Sequence, residues 1–153
     1  MMEITLAQAL KEKNRIVGEV GRLWTLVEEE NSCWEFHSRS IDVKDTMKTI
    51  EYLIEKLVEL KTKIGHANKG NLENMYALEE CKSQMSRFSK LNTEEDVRYR
   101  GANDDIMDVR SAEITAQEVQ RRSKELQLKC NQLQDALDAY NAAHKIEFDS
   151  PLK

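Results

Sequence analysis

The 153-residue sequence holds a single proline, Pro151, and five glycines, so almost nothing interrupts a helix from the first residue to Ser150. Nowhere do 18 apolar residues run together, which excludes a membrane-spanning helix by pattern. The opening ten residues lack a basic segment followed by an apolar run, so no secretory signal is read there. Cysteine is scarce and odd in number: Cys33, Cys81 and Cys130 make no disulfide framework and fit a reducing, cytoplasmic setting. Positive charge is in deficit, with a net charge of −5, and this argues against a non-specific nucleic-acid binder. No phosphate-binding glycine loop, dinucleotide fingerprint, H-E-x-x-H or paired C-x-x-C is present. Accordingly no catalytic residue, cofactor or metal ligand is assigned.

What the chain does hold is periodicity. From Ala112 through Ala116, Val119, Ser123, Leu126, Cys130, Leu133, Leu137 and Tyr140 to His144, small or apolar residues recur at alternating spacings of four and three. This heptad seam predicts one long, coiled-coil-like helix over 108–145. Its a positions, among them Ala116, Ser123 and Cys130, are small, and its e and g rows lack the opposite charges of a two-stranded zipper. Such a helix suits the core of a multi-helix bundle.

Three further helices are expected near 5–30, 42–65 and 71–91. Thr5 and Gln8 form a capping box for the first, and Asp42 caps the second. Gly65, Asn68 and Gly70 are expected to close the second helix with positive-φ residues. Leu72, Met75, Leu78, Met85, Phe88 and Leu91 mark a looser stripe on the third. The fold expected is an all-α, up-and-down four-helix bundle forming one domain over 1–153, with room for a short β-ribbon at Val97–Arg100 and Ile106–Val109. Asp105 or Asp108 would cap the last helix. Leu126, Leu133 and Leu137 would be fully buried.

The segments L-A-Q-A-L-K-E-K at 6–13, I-G-H-A-N at 64–68, A-L-E-E at 77–80, V-R-Y-R at 97–100 and A-Y-N-A-A-H at 139–144 stand in an order that resembles the small bacterial proteins labelled septicolysin. The resemblance spans nearly the whole chain and implies an all-helical protein, with no catalytic residues to carry over. The label itself implies a cytolysin, but no amphipathic helix with a basic polar face supports membrane lysis. The functional expectation is a helical interaction or assembly protein. The alternatives are an enzyme or metal-dependent bundle built from scattered polar residues, and a membrane-active lysin.

Helix lengths supply one more expectation. A last helix from Asp108 to His144 would reach about 55 Å, against about 30–37 Å for the others. Its first turns would overhang the bundle and bare an apolar stripe. This predicts a homo-oligomer, most simply a dimer, built on Ala112, Ala116 and Val119 with Trp34, Phe36 and Tyr99. A different protein partner remains compatible with the pattern, whereas nucleic acid and membrane do not.

Overall fold

The computed structural model describes all 153 residues, Met1 to Lys153. The element order is β1 (Glu3–Thr5), α1 (Leu6–Glu30), α2 (Val43–Ala67), a 3-10 turn (Asn68–Asn71), α3 (Leu72–Ser89), β2 (Asp96–Arg100), β3 (Ile106–Arg110), α4 (Ala116–Ala143) and β4 (Lys145–Glu147). The strands form two separate two-stranded antiparallel sheets, β1 with β4 and β2 with β3. The protein is therefore α+β, and the expected all-α four-helix bundle is wrong. The four helices do not share one core either: buried side chains fall into two clusters, in two compact units, Met1–Asn71 with Asp138–Lys153 and Leu72–Leu137.

In the first unit, α1 begins as its sequence dictates. The Thr5 hydroxyl accepts from the Gln8 backbone N–H at 3.1 Å, and the Gln8 side chain accepts from the Thr5 N–H at 2.9 Å, which satisfies two otherwise orphan donors. The stripe Leu6, Ala9, Ile16, Leu23 and Val27 then packs against Ile50, Leu53, Leu60 and Ile64 of α2. Val17, Trp24 and Ile54, placed on the same stripes by spacing, stand at the margins and stay exposed. The last carbonyls of α1 are held by Arg39, which donates to the backbone oxygens of Glu30 and Asn31 at 2.8 and 3.2 Å, a cationic cap at the negative end of the helix. Asp42 caps α2 as expected, its carboxylate accepting from the Asp45 N–H at 2.9 Å.

The chain's two ends complete this core. Ile4 faces Ile146 in the β1–β4 ladder, the Leu6 N–H donates to His144 O at 2.8 Å, and the Phe148 N–H donates to Met2 O at 2.9 Å. The expected last helix stops at 145 and leaves the tail beyond it without an element; Ile146 and Phe148 alternate there, but a run so short becomes a strand only with Ile4 opposite it. Phe148 is only 2% exposed and belongs to the core. Lys63 holds the strap from α2, donating to Glu147 O and to the Glu59 carboxylate, both at 2.8 Å. Hydrogen bonds from Lys63 and then Lys56 keep the Glu59 carboxyl below its ordinary range.

The turn after α2 differs from expectation. α2 runs through Gly65 to Ala67, and the 3-10 turn needs no positive φ; such angles occur only at Gly101 and Asp104. Gly70 is needed for space instead. A Cβ there would lie 2.9 Å from the Tyr140 Oη, which donates to Ala67 O at 2.7 Å.

In the second unit, Leu78 and Cys81 of α3 pack with Cys130 and Leu137 of α4, and Met85, Leu126 and Leu133 lie against them half-buried. Leu137 is buried as expected, but Leu126 and Leu133 are not fully so, because a single helix covers their face of the seam. α4 starts at Ala116, with Thr115 accepting from the Glu118 N–H at 3.2 Å. Asp108 lies in β3 and Asp105 in the preceding loop, so neither caps it. The helix is thus 28 residues long, about 42 Å rather than 55 Å, and the overhang argument fails with it. The strand alternation at Ile106–Arg110 prevailed over the helical pattern because Gly101, at φ 110°, and Asp104, at φ 51°, supply the left-handed positions that close a hairpin.

The strap carries a measurable expectation. Phe148→Ala should lower the unfolding free energy by about 3–5 kcal/mol, read by denaturant titration of far-UV circular dichroism. An unchanged midpoint would mean that the tail is not part of the core.

Candidate functional site

The most unusual surface lies on the β2–β3 ribbon. The register pairs Val97 with Val109 and Tyr99 with Met107, and between them Asp96 with Arg110, Arg98 with Asp108 and Arg100 with Ile106. Side chains directly opposite each other share a face, and faces alternate along a strand. One face of the ribbon is therefore Val97, Tyr99, Met107 and Val109, all apolar. The other is charged apart from Ile106. On the charged face Arg98 and Asp108 pair at 3.0 Å, and Arg110 reaches Glu94 at 2.8 Å. These exposed pairs fix register more than they stabilise.

The apolar face is uncovered. Its four side chains are between 48% and 62% exposed, although they form a contiguous block. Single exposed apolar residues are ordinary, but a whole sheet face of them marks a contact surface. An isolated two-stranded hairpin is moreover marginally stable at best in water. Both outer edges of the ribbon are also free of backbone partners, a second invitation to association.

Of the six residues expected to mediate self-association, only Tyr99 lies on this face. Ala112 is half-buried in the connection before α4, Ala116 is the exposed first residue of that helix, and Val119 is half-buried on it. Trp34 and Phe36 stand 88% and 99% exposed in the loop between α1 and α2. Val97, Met107 and Val109 were missed as site residues. Their signal was the same alternation that announced the ribbon, followed one step further to ask which face anything could cover.

A second cluster lies in the core of the same unit. The Cys130 thiol donates to Cys81 Sγ at 2.9 Å, the Cys81 thiol donates to Leu126 O at 3.3 Å, and Met85 Sδ lies 3.7 Å from Cys130 Sγ. Both cysteines are free and buried. Burial first, and the bond to Cys81 next, push the Cys130 thiol above its ordinary range, so at neutral pH it is protonated and unreactive. Cys130 was expected in the core; Cys81 stands three residues after Leu78 and four before Met85, a spacing that places it on the same stripe.

The first unit offers a cleft of about 570 Å³ lined by Ile4, Lys11, Glu12, Arg15, Phe148 and Leu152 among others. Glu12, its one buried carboxylate, is paired with Arg15 at 2.6 Å and accepts from Ser150. No group of three or more His, Cys, Asp or Glu side chains is placed to hold a metal ion. His144 stacks on Tyr140 with ring centroids 3.6 Å apart, so its surroundings are those of a packed helix end. No helix is long and apolar enough to cross a membrane.

Compared with protein-family models, curated proteins and solved structures, the chain matches none.

The thiols provide a test of the second unit's core. Titration of the native, reduced chain with a thiol-disulfide reagent should show one fast thiol, the half-buried Cys33, and two slow ones. In denaturant all three should react together. Fast labelling of Cys81 or Cys130 in the native chain would contradict the packing described.

Proposed function

We propose that this is a cytoplasmic assembly protein whose β2–β3 ribbons associate face to face in a two-fold dimer. The observation that carries the reading is the continuous apolar face of Val97, Tyr99, Met107 and Val109, left bare on a ribbon too small to be stable alone. In a two-fold contact the same patch meets itself, so a strongly charged patch would repel its copy. The two strands carry three Arg and two Asp, a net charge of only +1 in a chain of −5. The charges point to the opposite face, which leaves the apolar faces free to stack.

Covering four half-exposed side chains on each copy is worth about 1 kcal/mol apiece. The total is of the same order as the freedom lost on association, roughly 4–15 kcal/mol. Against the low end of that cost the net gain is about 4 kcal/mol, so the dimer is weak and concentration-dependent, with dissociation on the order of a millimolar. A cytoplasmic location accords with three cysteines that include a facing, unbonded pair. The earlier interface on Ala112, Ala116 and Val119 is replaced by the ribbon, with Tyr99 kept.

Analytical ultracentrifugation tests the reading. Wild type should pass from monomer to dimer as its concentration rises from the micromolar into the millimolar range, and Tyr99→Asp or Met107→Lys should remain monomeric while keeping its helical circular dichroism. A wild-type chain that stays monomeric throughout, or a variant that assembles like wild type, would overturn the proposal.

A further inference from the structure

We propose that Cys81, Met85 and Cys130 together bind one cuprous ion. Three sulfur atoms converge there and nothing harder accompanies them: the Cys81 and Cys130 sulfurs lie 2.9 Å apart and Met85 Sδ lies 3.7 Å from Cys130 Sγ. Two thiolates with a thioether form a soft donor set, which selects Cu(I) among the biological metals. Structural zinc calls for four ligands from Cys, His or carboxylate, and no third residue of those kinds joins the two cysteines.

The helices hold the set in place. Cys81 and Met85 are four residues apart on α3 and so share a face one turn apart, while Cys130 enters from α4. Both cysteines are buried beside Leu78 and Leu137, which keeps water from the ion. Met85 is only partly buried, so its thioether is where an incoming ion would first be met. The two thiols, 2.9 Å apart, must part to admit the ion.

Binding moves no electrons. Each thiol gives its proton to solvent as its S–H bond is replaced by a sulfur–copper bond, and Met85 Sδ donates a lone pair. The occupied site carries one net negative charge, and the charges of Lys82 and Lys129 act on it from the residues next to each cysteine. Nothing in this site depends on dimerisation, so either proposal can fail alone.

The experiment uses the full chain, reduced and free of oxygen, titrated with Cu(I) held by the chromophoric chelator bicinchoninate. Wild type and Cys33→Ser should each withdraw one equivalent. Cys81→Ser and Cys130→Ser should withdraw none. Met85→Leu conserves volume in the core; with unchanged circular dichroism, it should surrender copper at chelator concentrations where wild type retains it. The proposal is overturned if wild type withdraws no copper, if the cysteine variants withdraw as much as wild type, if Cys33→Ser alone loses it, or if Met85→Leu holds copper as tightly as wild type.

Discussion

The antiparallel pairing of the chain's two ends is the contact on which the first unit depends. α1 and α2 present one apolar stripe each, and two stripes facing each other leave their outer margins wet. The strap formed by β1, β4 and Phe148 closes one of those margins: Phe148 joins the cluster of Leu6, Ile16, Ile50 and Leu60, and Lys63 and the Leu6 N–H fasten the tail through hydrogen bonds. Because the strap brings together residues 140 or more positions apart, its loop-closure entropy must be met by that burial. Charged partners such as Lys145 and Glu3, at 3.0 Å, are exposed and add little.

The second unit solves the same problem less completely. Its two helices bury four residues, and every side chain on the ribbon's apolar face stays about half exposed. Two helices and a two-stranded ribbon offer too little surface to cover each stripe from every side. The half-exposed Leu126 and Leu133 and the bare ribbon face have that one cause. Association of ribbons is the simplest remedy, and it links the incomplete core to the proposed assembly role.

Much of this was legible in residue pattern. The caps at Thr5 and Asp42, the stripes of α1 and α2, and the seam from Val119 to Tyr140 all follow from local periodicity and end chemistry, which a sequence displays directly. Three features were not. Ile146 and Phe148 form a strand only because Ile4 lies opposite, a pairing between distant segments that no local window contains. The start of α4 was set too early because Ile106 to Arg110 fits both periods over so short a run, and only the left-handed turn at Gly101 and Asp104 decides for the strand. The all-α bundle was inferred from helical stripes without asking whether four of them share one core. The site was half visible: the alternation around Tyr99 was noted, but the face it creates, with Val97, Met107 and Val109, emerges only once the register with β3 is known.

We propose that the ribbon draws its stability from a second copy, and backbone hydrogen exchange reads that directly. Exchange followed by mass spectrometry across a dilution series should show protection of the segment 96–110 falling as the chain is diluted from the millimolar into the micromolar range, while protection of α1 stays constant. Ribbon protection that is independent of concentration would contradict the account, because the ribbon would then owe its order to its own chain.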